Sequence, residues 1–257
     1  MRFLLFYLLI LPGAMAQQLS IVETRPLTAK AFFGYDTFGF LYFITENTLH
    51  KSNGLESVEY QNVSFGNITH VDLTNPLKIA VLYRDFNSVV LLDNQLNEII
   101  TIDFSALKDP VVVAAASNAS QNRLWFYNSL TQQIGLYDYK SHTYSYLTQP
   151  MIGNLLHFES DLNYFHWIDQ QRNRYSVDVY GKISKLGIVP EFDAIRLVSD
   201  TSLIYQKDAD LYFQSADGKP RKLIEIDPKT FKSFWYKDQI LAIFTAHAIT
   251  NYKITTP

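Results

Sequence analysis

The stretch YRDFNSVVLLDNQLNEIITIDF, residues 83–104, decides the fold. It holds two apolar alternations separated by polar turns, and side chains that alternate in this way belong to β-strands. The same rhythm returns in FYNSLTQQIGLYDYKSHTYSYL, residues 126–147. Searching outward from these two finds six copies of an apolar run, a short turn and a second apolar run. They begin at Phe38, Leu77, Asn122, Leu162, Thr201 and Gln239. Anchored on Leu41, Ile79, Leu124, Tyr164, Leu203 and Leu241, the copies are separated by 38, 45, 40, 39 and 38 residues. Self-similarity at this period marks a repeat architecture.

Each copy has two further strand-like segments. One is polar-alternating (EIITID, TYSYLT, KISKLGI, RKLIEID), and the other is rich in small or branched residues (VVVAAAS, LLHFES, AIRLVSD, FKSFWY). Four short strands in about forty residues make one blade of a β-propeller. The fold expected is therefore all-β, a six-bladed β-propeller of four-stranded blades, with a seven-bladed ring as the competing count. Equal steps disfavour a pair of sandwiches, and no apolar period of 3.6 residues supports a helical solenoid. The last copy runs out of chain after three strands. The segment LSIVET, residues 19–24, can supply the fourth, so it is expected to pair with the strand at residues 248–254 and close the ring.

The N-terminal run MRFLLFYLLILPGAMA has a basic Arg2, nine apolar residues, a Pro-Gly break and a small-x-small end. This is the pattern of an export signal, with cleavage expected after Ala16. The apolar run is about half of what a membrane span needs, so no integral membrane protein is expected. Residues 17–257 are then read as a single propeller domain. The chain has no cysteine, which excludes disulfides, thiolate nucleophiles and thiolate metal sites. An exported chain without disulfides fits the bacterial periplasm, or the periplasmic face of the outer membrane. The triplets at Asn62, Asn67 and Asn118 match the glycosylation pattern only as such triplets do in any Asn- and Ser-rich chain.

Without Arg2 the chain has 21 basic residues against 25 acidic ones, interspersed, so no basic tract tracks a nucleic-acid backbone. The aromatic share of 15% suits half-buried pleated surfaces. No nucleophile elbow, zinc-protease motif, phosphate loop or calcium loop occurs. Of six histidines, His50, His70, His142, His157, His166 and His247, only His70 and His157 fall on strands expected to line the channel. No pair has metal-ligand spacing within a blade, so neither a metal nor a cofactor is expected. Asp72, Glu159, Asp193 and Asp200 lie on or beside innermost strands, where a propeller glycosidase would hold its acids. Aspartates more often make turns.

The hairpin tips give the best binding candidates. Arg84, Phe86, Asn87, Leu130 and Arg172 lie on tips that share one face with the connections carrying Phe65, Leu107 and Phe192. Aromatic residues beside arginine are enriched at protein interfaces, and loops on a rigid scaffold are where binding resides. The expected function is a non-catalytic scaffold for protein–protein interaction. The alternatives are a propeller hydrolase or lactonase, and a glycan-binding module.

Two segments carry family resemblances. FHWIDQQRNRYSVDVYG, residues 165–181, resembles the strand-turn-strand of YWTD propellers, with His166-Trp167-Ile168-Asp169 in the place of that tetrapeptide. DLTNPLKIAVLYRDFNSVVLLDNQLNEI, residues 72–99, resembles small exported propellers of Bacteroidota that include the plug subunit of the type IX secretion translocon. The second resemblance implies an accessory of an outer-membrane secretion or assembly machine that occludes a pore. It transfers no functional residues.

Overall fold

A computed structural model describes residues 19–215, 222–227 and 230–254. The leader expected over residues 1–16 lies outside them. Strand β1 (Leu19–Pro26) is followed by blade 1, made of β2 (Ala31–Tyr35), β3 (Leu41–Thr45), β4 (Thr48–Ser52) and β5 (Ser57–Tyr60). Blade 2 holds β6 (His70–Asp72), β7 (Ile79–Tyr83), β8 (Ser88–Leu92) and β9 (Glu98–Asp103). Blade 3 holds β10 (Val113–Ala119), β11 (Arg123–Asn128), β12 (Gln133–Asp138) and β13 (Thr143–Tyr146). Blade 4 holds β14 (His157–Ser160), β15 (Tyr164–Ile168), β16 (Asn173–Asp178) and β17 (Ile183–Ile188). Blade 5 holds β18 (Ala194–Leu197), β19 (Ser202–Lys207), β20 (Asp210–Ser215) and β21 (Lys222–Ile224). Blade 6 holds β22 (Ser233–Lys237), β23 (Ile240–Phe244) and β24 (Ala248–Ile254), and its fourth strand is β1.

All six sheets are antiparallel, so this is a six-bladed β-propeller and the expected count holds. The closure also stands as expected, with Leu19 opposite Ile254 and Pro26 opposite Ala248. A register shift between Ile21 and Glu23 bulges β1. The bulge, the Arg25–Glu23 ion pair and Pro26 make the outer edge of β1 a poor template for another strand. Among the described residues no helix is long and apolar enough to cross a membrane.

Alternation on the strands covers both faces of each blade. On β7, Val81 and Tyr83 pack on Tyr42 and Leu49 of blade 1, while Ala80 and Leu82 join Val113 and Phe126 of blade 3. Five of the seams are closed mainly by apolar clusters of this kind. The innermost strands β2, β6, β10, β14, β18 and β22 surround the axis, with β10 against both β6 and β14, and β22 against both β18 and β2. One face of the disc, the upper, carries the hairpins between second and third strands and the connections between blades. The lower face carries the other hairpins. Their shape comes from aspartates: Asp93 accepts from the Gln95 and Asn97 backbone, and Asp178 from Tyr180 and Lys182.

Candidate functional site

The upper face gathers the sequence-predicted candidates, and each plays a different part there. Arg84–Phe86 is a single 3-10 turn, ended by Asn87 in the left-handed conformation. The Asn87 amide is fully used. It donates to Ser105 Oγ at 2.9 Å and to the Val111 carbonyl at 2.6 Å, and it accepts from the Val113 backbone at 2.7 Å. Asn87 therefore ties the blade 2 hairpin to the next connection. Arg84 Nη2 donates to the Ala114 carbonyl at 3.0 Å, on the innermost strand of blade 3. Phe86 rests edge-on against Phe65, with ring centroids 6.3 Å apart, and stays 52% exposed. The contact with Phe86 explains Gly66, where a Cβ would come within 3.1 Å of the ring and φ is +70°.

Further round the face, Leu130 at the blade 3 hairpin is 75% exposed. Arg172 and Phe192 line one cavity of about 460 Å³ with Leu156, Glu191, Asp193 and Lys207. Lys207 lies 3.7 Å from Glu191 and 3.8 Å from Asp193. Exposed Val63, Val112, Ile152 and Leu156 complete the arc. They come from the connections that enter blades 2, 3 and 4. The upper tips of blades 5, 6 and 1 are Asp208-Ala209, Thr245-Ala246-His247 and Glu46-Asn47, which are small or polar. Among the described residues, apolar exposure on this face is thus concentrated on one half.

The channel holds the second cluster. His70 and His157 are the first residues of β6 and β14, on innermost strands as expected. His70 packs its ring 5.1 Å from Phe158. Burial inside the ring pushes its pKa down to about 4; Asp72 opposes this, while the Arg196, Arg84 and His157 charges add to it. His157 Nε2 lies 2.9 Å from Glu159 Oε1. Glu159 also accepts from the Leu197 backbone at 3.1 Å, with Arg196 Nη1 at 3.7 Å. Burial would raise the Glu159 carboxyl. The His157 hydrogen bond and charge, the Arg196 charge and the Leu197 N–H outweigh it and hold the carboxyl below its usual range.

The other expected acids are structural. Asp72 is buried and accepts from the Asn118 backbone at 2.7 Å, from the Asn118 amide at 2.8 Å and from Thr74 Oγ1 at 2.6 Å. This also removes Asn118 as an exposed acceptor triplet. Asp193 accepts from the Asp208 backbone at 2.6 Å. Asp200 is exposed in the turn after β18. Among the described residues no group of three or more histidines and carboxylates is placed to hold a metal.

Two arginines escaped the sequence reading, Arg174 and Arg196. A signal for the first was present. The second residue of the third strand is Leu49, Val89, Ile134, Leu211 and Ile249 in five blades, and Arg174 in blade 4. Superposing the repeats position by position exposes that exception.

No family model matches the sequence, and no curated protein matches it. Solved structures do. A member of the DUF4221 family from Bacteroides vulgatus aligns at a TM-score of 0.62 with 8% identity, covering 94% of this chain and 99% of that one. A streptogramin B lyase aligns at 0.59 with 11% identity, covering 94% and 99%. Virginiamycin B lyase from Staphylococcus aureus aligns at 0.57 with 11% identity, covering 86% and 79%. At such identities the likeness establishes the fold.

Proposed function

We propose that this propeller is a non-catalytic docking scaffold that works after export, in the periplasm or at the periplasmic face of the outer membrane. Its partner is a protein of an envelope secretion or assembly machine. The observation that carries the reading is the one-sided apolar arc of the upper face, where exposed Phe86, Leu130, Ile152 and Leu156 lie on the same half as Arg84 and Arg172. Large apolar side chains beside arginine on a rigid support are the makings of an interface hot spot. The leader-like N-terminus and the resemblance of residues 72–99 to exported Bacteroidota propellers motivate the compartment. A rigid disc closed into a ring suits a part that blocks an opening.

The test is comparative. Tagged chain expressed at native level is purified from envelope extracts as wild type, as Phe86→Glu/Leu130→Glu and as a lower-face control, Leu55→Glu/Tyr180→Glu. A stoichiometric partner lost only with the upper-face variant is expected. Wild type recovered as a lone monomer, or a partner lost only with the control, overturns the reading.

A channel enzyme is the second reading, favoured by the His157–Glu159 pair and by lyases among the structural neighbours. A hydrolase and lyase screen decides it. Activity abolished by Glu159→Gln and by His157→Ala would establish the enzyme, and background unaffected by either would end it.

A further inference from the structure

The seam between blades 4 and 5 differs from the other five. Its apolar cluster has five buried members, Ile168, Val189, Ile195, Leu203 and Tyr205. Phe192 and Tyr212 pack against it, and polar side chains fill the part nearer the axis. On the blade 4 face toward blade 5, the register sets Glu159 opposite His166 and His166 opposite Ser176, with Arg174 two residues before Ser176 on the same face. From blade 5, Arg196 reaches toward Glu159, and the Ser199 carbonyl accepts from Arg174 Nη2 at 2.5 Å.

Five buried side-chain atoms among the described residues lack a hydrogen-bond partner, and two of them belong to this face of blade 4: Arg174 Nε and His166 Nδ1. The Arg174 residue is 4% exposed, and no carboxylate stands within ion-pair distance among the described residues. Asp200 and Glu159 act on it only from further away, and burial still depresses its pKa. Isolating a guanidinium from water without a contacting counter-charge is strongly unfavourable. Five blades avoid the cost with an aliphatic residue at this position. A repeat that breaks its own rule at one place marks function there.

We propose that the seam between blades 4 and 5 is a binding site for a small oxyanion, a carboxylate or phosphate group held by Arg174 and His166. The planar guanidinium fork matches a two-oxygen acceptor, and His166 Nδ1 supplies a further nitrogen when it carries the proton. On the same face Tyr164 lies with its ring 6.1 Å from that of His166. These buried nitrogens are not part of the exposed docking arc, and the assignment does not depend on it.

Crystals of the full chain soaked in selenate, and thermal melts in phosphate or acetate at constant ionic strength, test the assignment. Wild type is expected to show an anomalous peak in contact with Arg174 Nε. Its melting temperature should rise with phosphate or acetate at millimolar concentration, and the more effective of the two identifies the preferred group. Arg174→Leu restores the residue type of the other blades, so it is expected to fold at least as well and to lose both responses. Ordered water alone on these nitrogens, selenate bound at crystal concentration only, or an undiminished response in Arg174→Leu overturns the proposal.

Discussion

At the scale of single residues, the acids and imidazoles divide between building and sensing. Asp72 joins blade 2 to blade 3 through both nitrogens of Asn118. Asp72→Ala strands those buried donors, and urea unfolding should show a loss of about 3 kcal/mol. His70 behaves differently because the ring disfavours its charged form. The unfolded chain binds this proton near pH 6.5, whereas the folded chain resists it down to about pH 4. The unfolded state thus holds more protons in that window, so stability is full above pH 6.5 and declines as the pH falls toward 4. Channel solvent reaches the ring and moderates the effect to about 1–2 kcal/mol. Melts of His70→Gln should show a shallower acid slope than wild type, and an imidazole NMR titration reports the pKa directly.

At the scale of elements, the strands follow the sequence closely because alternation and turn chemistry are local. Every repeat anchor from Leu41 to Leu241 falls on the second strand of its blade. LSIVET extends two residues further than read, to Pro26, since edge pairing needs no buried side chain there. The site was less legible. That Arg84 and Phe86 share a face with Phe192 follows from blade topology, but that the Asn87 amide is consumed by Ser105, Val111 and Val113 depends on how one connection folds. Arg174 was hidden for a different reason. A charged residue beside a turn reads as solvated unless its repeat equivalents are lined up, and only inter-blade packing shows that it is enclosed. Packing also explains Gly135 on β12. A Cβ there would lie 2.5 Å from the Phe126 ring and 2.6 Å from the Ser145 carbonyl. Gly135→Ala should cost about 1–3 kcal/mol in chemical unfolding, and pairing it with Phe126→Leu should recover part of that.

At the scale of the molecule, the ring is sealed by backbone pairing more than by side chains. Along β1 only Leu19 joins a core cluster, while the ladder to β24 runs the length of the strand. Deleting Leu19–Pro26 should lower the melting temperature by about 10 °C in calorimetry, and the free peptide LSIVETRP supplied in excess should restore part of it. The Thr24–Thr250 contact, 226 residues apart in sequence, also sets the order in which this chain matures. Fastening ends so distant opposes chain entropy by on the order of 5 kcal/mol, and nothing repays it until the final strand is made. Strand β1, made before every other strand described, is thus the last to find its place. Until β24 has been made the polypeptide remains an unlatched arc, open to chaperones and proteases that a closed ring would exclude.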